Sequence, residues 1–252
     1  MLPIVLQHGL FGFGDVGIGK LRLSYFHKID RALAELGHPI ITSRVHPTGS
    51  IERRAIQLKK TILVQTRRRK IKEPVLILAH SMGGLDARYM ITHLNMAEHV
   101  AGLVTLSTPH RGSPYADWCM KNIGKRMGGL KLMRLLKLDV QAISDLTTVS
   151  CAKFNETVPD HPDVKYFSIS AARPWHRVPP FFIHSHKMIR KLEGPNDGLV
   201  SVASATWGEH LDTWPADHLH VINKRFVAEI KHRTGDIVPY YLEMLEEVVA
   251  SL

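Results

Sequence analysis

Short apolar runs alternate with helical patterns along most of this chain of 252 residues. We predict strands at 2–8, 39–46, 74–80, 100–107 and 164–170. We predict helices at 21–36, 51–72 and 82–95. Strands rich in Val, Ile and Leu along their whole length are buried on both faces, which requires helices on both sides of the sheet. The pattern therefore predicts an α/β fold with a mostly parallel central sheet, as a single domain over residues 1–252.

The alternation breaks between Gly112 and Asp163. This segment has helical patterns but no clear strand, and residues 121–138 combine Lys, Arg, Leu and Met with amphipathic spacing. We interpret the insertion at about 112–163 as a lid or cap over the strand ends. A packed helical excursion without a gating role fits the pattern equally well. A second stretch, 171–192, contains three prolines and is predicted to be irregular.

The start of the chain and its cysteines bear on the cellular compartment. No apolar run approaches the roughly 18 residues that a membrane span requires. Met1 leads directly into the first predicted strand, without a basic leader or a cleavage site, so we expect a cytoplasmic protein or a processed form. In that setting Cys119 and Cys151 are expected to be free thiols.

The formal net charge is +10, and much of the excess lies in a basic cluster at 67–72. Cations at a helix end complement the helix dipole and are well solvated, which is the interpretation that we prefer. Peripheral contact with an anionic lipid surface is the alternative, and the Lys-rich stretch at 121–138 favours it weakly. We expect no nucleic-acid partner, because aromatic residues do not interleave with the basic ones.

The strongest chemical signal is the stretch LILAHSMGG at 76–84. A buried strand ends, Ser81 follows, and a helix begins. Ala79 and Gly83 are small, as required by the strained turn that lifts a nucleophilic serine above a sheet. The same turn directs the backbone N–H of Met82, at the helix N-terminus, toward a substrate. A serine that merely caps an ordinary helix is the alternative.

A nucleophilic serine needs a base, and the base needs an orienting acid. In this fold class the acid and then the histidine follow the serine along the chain. Asp197, in the turn GPNDGLV, is a candidate acid, although a plain turn aspartate is more common. His218 and His220, in ADHLH, are candidates for the base, and His210 is a weaker third. His110 precedes the acid and is therefore in the wrong order.

Five glycines between residues 9 and 19 follow the first predicted strand. The spacing at 12–17 matches a dinucleotide fingerprint, and 14–20 approaches a phosphate-binding loop. A dinucleotide site also needs an acid near the end of the following strand, and this chain has none there. A phosphate-binding loop needs Ser or Thr after its lysine to hold Mg²⁺, and this chain has Leu21 at that position. An acyl-transfer enzyme instead needs a second N–H donor from a loop after an early strand, and the Leu10 N–H in HGLFG suits an oxyanion.

These motifs together resemble those of the bacterial triacylglycerol lipases of the α/β-hydrolase superfamily. The similar segments are the oxyanion loop at 8–12, the nucleophile elbow at 79–84, the start of the lid at 107–113, the acid motif NDGLV at 196–200 and the His-Leu motif at 217–219. The resemblance implies the α/β-hydrolase fold with a helical lid. It also implies Asp197 as the acid, His218 rather than His220 as the base, and Leu10 and Met82 as the oxyanion donors.

The chain departs from that family at a calcium site. Many secreted relatives follow His-Leu with a calcium-binding Asp, whereas this chain has His220 there and Lys224 at a further ligand position. Neither suits Ca²⁺, which prefers oxygen ligands. The His184 and His186 pair lacks nearby Cys or carboxylate partners for a metal. We therefore predict no metal site and no cofactor, and the missing leader favours an intracellular esterase or lipase.

The resulting hypothesis is a serine ester hydrolase, a lipase or carboxylesterase, that cleaves esters of acyl lipids through an acyl-enzyme. Three alternatives remain: an acyltransferase with the same triad, a short-chain esterase whose lid-like segment does not gate, and a non-catalytic binding protein with this fold. The sequence contains no signal for acyl chain length or oligomeric state.

Overall fold

The computed structural model describes residues 1–12, 16–18, 21–123, 140–225 and 235–252. Its strands are β1 Ile4–Gln7, β2 Val16–Ile18, β3 Leu21–Leu23, β4 Ile40–Thr42, β5 Val75–His80, β6 Val100–Leu106, β7 Lys165–Ala171 and β8 Glu209–Trp214. Its helices are α1 Ile29–Glu35, α2 Ile51–Arg69, α3 Met82–His93, α4 Pro114–Ile123, α5 Val140–Asp145, α6 Thr148–Thr157, α7 Ile183–Leu192, α8 Val202–Ala205 and α9 Val238–Ser251.

Six strands form one parallel sheet in the order β4-β1-β5-β6-β7-β8. The register pairs Gln7 with Ala79 and His80 with Leu106, so the carboxyl ends of β1, β5 and β6 meet at one edge of the sheet. Every residue of β1 and of β5 is buried, because helices cover both faces. The predicted fold class, with a mostly parallel central sheet and helices on both sides, is confirmed.

Successive residues of a strand point to opposite faces of the sheet, and two core clusters follow from this. Leu6 of β1 packs in the cluster that contains Leu33 of α1 and Tyr241 of α9. Val5, the preceding residue, packs in the cluster that contains Leu58 of α2. The two apolar clusters fix the sheet between its helical layers and hold its carboxyl edge in place.

The predicted helix at 21–36 was wrong in its first half. Residues 21–23 form β3, which pairs with β2 as an antiparallel hairpin. The helix α1 begins only at Ile29, because Lys28 has a left-handed φ of 65° that a right-handed helix does not contain. Its end was predicted correctly: Gly37, with φ 89°, follows the last turn in the usual left-handed conformation.

Four elements in the second half of the chain, β8, α7, α8 and α9, were not predicted. β8 pairs with β7 as an edge strand, and most of its residues are partly or fully exposed, so it lacks the apolar run of the other strands. The stretch at 171–192 was predicted to be irregular but contains α7. Pro180 begins a short helical turn that leads into α7, and a proline at a helix start supplies a φ that suits the helix.

The segment at 112–163 contains α4, α5 and α6 and no strand in its described part. Residues 124–139, which hold most of the amphipathic pattern at 121–138, lie outside the described residues. Ala142 of α5 and Cys151 of α6 pack in one buried cluster with Met82, at the start of α3. The helices of this segment therefore share an apolar cluster with Met82, and Leu10 lies at its border.

Both cysteines are free thiols, as predicted. Cys151 is buried, and its burial raises the pKa of the thiol to about 12, so it stays protonated and unreactive. Among the residues that the structure describes, no helix combines the length and the apolar character needed to cross a membrane.

Candidate active site

Ser81 lies in the sharp turn between β5 and α3. Its φ of 55° and ψ of −132° are rare for a residue with a side chain. The Ser81 N–H donates to the Leu106 carbonyl at 2.9 Å, and the Thr108 hydroxyl donates to the Ser81 carbonyl at 2.7 Å. A Cβ on Gly83 would lie 2.9 Å from the His8 carbonyl oxygen, so only glycine fits there. The strained strand–serine–helix turn expected from the sequence is present.

Ser81, His218 and Asp197 lie in a hydrogen-bonded row. His218 Nε2 is 3.0 Å from Ser81 Oγ, and His218 Nδ1 is 2.7 Å from Asp197 Oδ2. All three side chains are buried, although His218 is 137 residues from Ser81 along the chain. A carboxylate beside Nδ1 keeps the proton on that nitrogen, which leaves Nε2 to accept the serine hydroxyl proton. The structure thus brings the three sequence candidates together.

Asp197 is held by its own turn. Its Oδ1 accepts the N–H groups of Leu199 at 2.9 Å and Val200 at 2.8 Å, while Oδ2 faces the imidazole. The His218 N–H donates to the Asp197 carbonyl at 3.0 Å. The NDGLV turn therefore holds the carboxylate with Oδ2 directed at the imidazole.

A buried ion pair supports the loop that carries His218. Asp217 Oδ2 is 2.8 Å from Arg173 Nη1, and both side chains are almost fully buried. His220 Nε2 donates to the Gly235 carbonyl at 3.0 Å, and its Nδ1 accepts from Arg173. Both nitrogens of His220 are thus used away from Ser81, whereas those of His218 face Ser81 and Asp197.

The other histidine candidates lie elsewhere. His210 is on β8, where its ring contacts the Ser168 hydroxyl of β7. His110 is fully buried beside Arg88, and burial together with that guanidinium lowers the pKa of His110 well below its ordinary value. Neither ring forms a hydrogen bond with Ser81.

Two unused backbone donors flank Ser81. A Cβ on Gly9 would lie 2.7 Å from Ser81 Cβ, so the loop after β1 touches the elbow directly. The N–H groups on either side of Leu10 donate hydrogen bonds, whereas the Leu10 N–H has no acceptor within the described ranges. Met82 is the first residue of α3, where an N–H has no partner inside the helix.

A buried guanidinium anchors the loop that carries Leu10. Arg54, on α2, donates from Nη2 to the His8 carbonyl at 2.6 Å and from Nε to Asp86 Oδ2 at 2.9 Å. Asp86, on α3, also accepts from Gln7 Nε2 at 2.7 Å. Arg54 and Asp86 are both fully buried. One charge pair therefore ties two helices to the end of β1.

The peptide between Gly9 and Leu10 is held from its carbonyl side. The Gly9 oxygen accepts from Arg54 Nη1 at 3.3 Å and from His8 Nδ1 at 2.9 Å. In a trans peptide the C=O and the N–H point in opposite directions. The donors on the Gly9 oxygen therefore fix the direction of the Leu10 N–H on the opposite side.

Burial keeps three titratable side chains near this loop, those of His8, His80 and Tyr25, uncharged. Burial, with a smaller effect of Arg54, lowers the pKa of His8 to about 4. Burial and then the neighbouring His218 lower the pKa of His80 well below its ordinary value. Burial raises the pKa of Tyr25 to about 12. At neutral pH these three side chains therefore act as hydrogen-bond groups and not as charges.

The described residues contain no group of three His, Cys, Asp or Glu side chains close enough to hold a metal ion. At the two positions that the resemblance links to calcium, His220 contacts Arg173 and Gly235, and the Lys224 ammonium lies 4.9 Å from the centre of the Tyr25 ring.

Of the glycine motifs at 12–20, residues 13–15 and 19–20 lie outside the described residues, and 16–18 belong to the hairpin.

Sequence reasoning missed the residues that support the site. Arg54 gave one signal: it lies on the buried stripe of α2 with Ile51, Ala55 and Leu58, where a charge needs a partner. Tyr25, Asp86 and Arg173 gave none, because their partners are distant in sequence.

Comparison with protein families and curated proteins identifies relatives of this chain. Residues 51–168 match the family described as PGAP1-like alpha/beta domain. Triacylglycerol lipase 2 of Saccharomyces cerevisiae is 32% identical over 247 residues, which cover 90% of this chain and 74% of that protein. A triacylglycerol lipase of Vibrio cholerae is 28% identical and aligns with 88% of this chain and 79% of its own length.

Solved structures share the fold. Staphylococcus hyicus lipase has a TM-score of 0.72 and 17% identity, covering 98% of this chain and 95% of that one. The mature lipase of Bacillus licheniformis has a TM-score of 0.70 and 22% identity, covering 91% and 89%. Together with the extent of the yeast match, these similarities show that the chain is a carboxylic ester hydrolase, an ester-hydrolysing lipase that belongs to the triacylglycerol lipase family of the α/β-hydrolase superfamily.

Proposed function

We propose that this lipase cleaves esters of acyl lipids through a Ser81–His218–Asp197 triad and a covalent acyl-enzyme. The observation that carries the proposal is the hydrogen-bonded row of 3.0 Å and 2.7 Å at a strained elbow, beside two N–H donors that have no acceptor among the described residues. In an enzyme that hydrolyses carboxylic esters, this arrangement matches the requirements of a serine nucleophile with its base and its orienting acid.

In the first step Ser81 Oγ attacks the ester carbonyl carbon, and His218 Nε2 takes the hydroxyl proton. The carbonyl oxygen becomes an oxyanion, which accepts hydrogen bonds from the Leu10 and Met82 N–H groups. Asp197 stabilises the imidazolium through Nδ1. The tetrahedral species then collapses, the bond to the leaving alkoxide breaks, and His218 returns its proton to form the alcohol.

In the second step a water attacks the acyl-enzyme and His218 accepts a proton from that water. The same two N–H groups stabilise the second oxyanion. Its collapse breaks the bond to Ser81, which regains the proton from His218, and the fatty acid leaves. An alcohol in place of water would give acyl transfer, so the competition between water and alcohol distinguishes hydrolase from acyltransferase.

The acyl-enzyme is tested by mixing the protein with excess p-nitrophenyl octanoate and recording p-nitrophenol release per protein and intact mass. We expect a burst near one equivalent and an added octanoyl mass that peptide mapping assigns to Ser81. Adding glycerol as an acceptor reports transfer as octanoyl glycerol. Release of p-nitrophenol without any acylated Ser81, on quenching within one turnover, would contradict the proposal.

We also propose that the helical segment at about 112–163 acts as a lid. Residues of α5 and α6 pack in one cluster with Met82, and Leu10 borders the same cluster, so the segment lies beside both residues that carry the proposed oxyanion donors. Tyr115 and Trp118 of α4 stack at 5.6 Å, and Trp118 is partly exposed at the surface. The rate of tributyrin hydrolysis, measured against tributyrin concentration, tests this role. An abrupt rise in rate above the solubility limit of tributyrin would support gating, and a smooth saturation curve through that limit would oppose it.

For lipid partners, we propose a contact with anionic lipid surfaces through a groove at the open edge of β4, between α1 and α2. The groove has a volume of about 1210 Å³. Six of its lining residues are cationic and one is acidic: Lys28, Arg31, Arg44, Lys60, Arg68 and Arg69, against Asp30. Arg31, Arg44, Lys60 and Arg68 are exposed and form no ion pair within the described part of the chain. Unpaired cations of this kind favour a negatively charged surface.

Co-sedimentation with phosphatidylglycerol–phosphatidylcholine vesicles tests this contact. At about 1 kcal/mol per cation, the triple variant Arg31→Gln, Lys60→Gln, Arg68→Gln should bind such vesicles about 10²-fold more weakly. The matched control Arg53→Gln, Lys153→Gln, Lys191→Gln removes three exposed charges elsewhere and should bind almost normally. Equal losses of vesicle binding in both triple variants would contradict the groove as the contact site, because binding would then depend only on the net charge of the protein.

A further inference from the structure

Three loops of the active site meet at the side chains of Tyr25 and His80. The Gly9 N–H donates to the Tyr25 hydroxyl oxygen at 3.3 Å. That hydroxyl is 2.8 Å from His80 Nδ1, and His80 Nε2 is 3.1 Å from the His218 carbonyl oxygen. Gly9 lies in the oxyanion loop, His80 precedes Ser81, and His218 is the base. One chain of three hydrogen bonds therefore spans the donor, the nucleophile turn and the base.

The direction of every proton in this chain is fixed by its two ends. The His218 carbonyl can only accept, so His80 carries its proton on Nε2. Because burial keeps His80 neutral, its Nδ1 accepts, and the donor must be the Tyr25 O–H. The Tyr25 oxygen then accepts the Gly9 N–H through a lone pair. No other arrangement of the protons satisfies all three contacts.

We propose that Tyr25 and His80 are positioning residues that hold the oxyanion loop and the loop of the base in register with Ser81. Neither side chain touches the scissile bond. The Tyr25 hydroxyl accepts the Gly9 N–H, while Arg54 and His8 donate to the Gly9 carbonyl. Both peptide groups of Gly9 are thereby fixed, including the one that carries the Leu10 N–H.

Ring contacts reinforce these hydrogen bonds. The His80 ring lies 4.6 Å from the His218 ring and 5.8 Å from the Tyr25 ring, centre to centre. Tyr25 is 6% exposed and His80 is 1% exposed, so water does not compete for these hydrogen bonds. Removal of either side chain would therefore break the hydrogen bonds and ring contacts that align the oxyanion loop with the loop of His218.

The test uses Tyr25→Phe in the full chain, with Tyr166→Phe as its matched control. The Tyr166 hydroxyl is also largely buried and also accepts a backbone N–H, from His161 at 3.0 Å, but it lies outside the site. We measure kcat and KM with p-nitrophenyl butyrate, and inhibition by an alkyl boronic acid, whose adduct on Ser81 imitates the tetrahedral oxyanion. Inhibition by butyrate reports ground-state binding.

For Tyr25→Phe we expect kcat to fall roughly 10- to 100-fold, as for a small misplacement of a catalytic group. KM and butyrate inhibition should change less than about twofold, and boronate affinity should fall in parallel with kcat, since only the tetrahedral state uses the oxyanion donors. Tyr166→Phe should leave all four quantities near wild type. A Tyr25→Phe enzyme with wild-type kcat, or equal losses in both variants, would overturn the proposal.

Two substitutions of His80 give an independent measurement. Gln places an amide nitrogen near the position of Nε2 and can still donate to the His218 carbonyl, whereas Asn reaches only the Nδ1 position. We expect His80→Gln to retain at least about tenfold more kcat than His80→Asn. Similar values for the two would contradict the role of the His218 contact.

This proposal rests on the proposed triad, and the two fail differently. A fluorophosphonate that does not label Ser81 in the wild-type protein would remove the triad itself. Normal labelling of the wild type combined with an unaffected Tyr25→Phe would remove only the positioning role.

Discussion

At the residue scale, the space around Ser81 is set by backbone positions that tolerate no larger side chain. Gly9 and Gly83 bring the end of β1 against the elbow, and a Cβ on either would contact neighbouring atoms below 3 Å. Ser81 itself holds a strained backbone conformation. Strain and close approach are stable here because β1, β5 and α3 are packed tightly around them.

Gly9→Ala tests this close approach. The added methyl would lie 2.7 Å from Ser81 Cβ, so either the oxyanion loop or the serine must move. We expect kcat/KM for p-nitrophenyl butyrate to fall about 10²-fold, as for a small misplacement of reacting groups. Gly235→Ala, which has open space around its new methyl, should keep normal activity. A fully active Gly9→Ala enzyme would show that the two loops are not in contact during catalysis.

Asp197→Asn tests the orienting acid. The amide keeps the shape of the carboxylate, but it no longer holds the His218 proton on Nδ1, so the base has the wrong tautomer. We expect kcat to fall about 10⁴-fold with little change in KM. Asp217→Asn, one residue from the base, should disturb the loop through Arg173 without that loss. Comparable losses at the two positions would place the acid function in doubt.

Single residues also show what the sequence can and cannot supply. Ser81 is predictable because the elbow motif is local and its turn has a defined chemistry. The choice of His218 over His220 came from family resemblance, because both histidines stand in one loop. Their partners are distant in sequence: Asp197 and Ser81 are 21 and 137 residues from His218, and Arg173, the partner of His220, lies outside that loop. Tyr25 could not be predicted, since nothing adjacent in sequence marks a side chain that supports a distant loop. Arg54 gave only one signal, a charge on the apolar stripe of α2.

At the element scale, α2 and α3 are joined to the end of β1 by Arg54 and Asp86. The two charges are completely buried, and Arg54 also holds the carbonyls of the oxyanion loop. The pair therefore has two separable effects: its members neutralise each other, and the guanidinium aligns the loop.

Arg54→Met and the double variant Arg54→Met, Asp86→Leu separate these effects. The single variant leaves Asp86 buried and unpaired, and we expect it to lower the free energy of unfolding by about 3–5 kcal/mol. The double variant should recover most of that loss, because it removes both charges. Its kcat/KM should remain low, since the His8 and Gly9 carbonyls still lack their donor. Urea unfolding and p-nitrophenyl butyrate hydrolysis measure the two properties, and full recovery of activity in the double variant would contradict the alignment role.

Most elements with an internal sequence signal were predicted: the five strands β1, β4, β5, β6 and β7 are apolar runs, and α2 is amphipathic. α9 was missed although its buried residues, Tyr241, Met244, Leu245 and Val248, have helical spacing. β8 is a polar edge strand, recognisable only by its pairing with β7. The start of α1 depends on Lys28, whose left-handed conformation has no signature in its residue type.

At the scale of the whole molecule, buried neutral histidines link stability to pH. Burial lowers the pKa of His8 to about 4, and it lowers those of His80 and His110 well below the ordinary value. Between pH 6.5 and 4 the unfolded chain binds protons at these positions and the native protein does not. The free energy of unfolding should therefore decrease as the pH falls through this range, by about 3 kcal/mol for His8 alone.

His8→Asn tests the contribution of one histidine. The Asn amide can still donate to the Gly9 carbonyl but does not titrate. We expect the slope of unfolding free energy against pH, measured by urea at intervals from pH 7 to 4.5, to decrease by close to one proton. An unchanged slope in His8→Asn would mean that His8 is protonated in the native protein.

We propose Ser81 as the nucleophile of this ester hydrolase, and the rest of the proposed mechanism depends on it. The most direct measurement compares wild type and Ser81→Ala on p-nitrophenyl esters from acetate to palmitate. We predict that kcat falls by about 10⁴–10⁶ for every chain length, while the variant keeps its fold by circular dichroism. Rates that persist at long chains in the wild type would indicate a lipase acyl groove. Hydrolysis that survives in Ser81→Ala would contradict the assignment of Ser81 as the nucleophile.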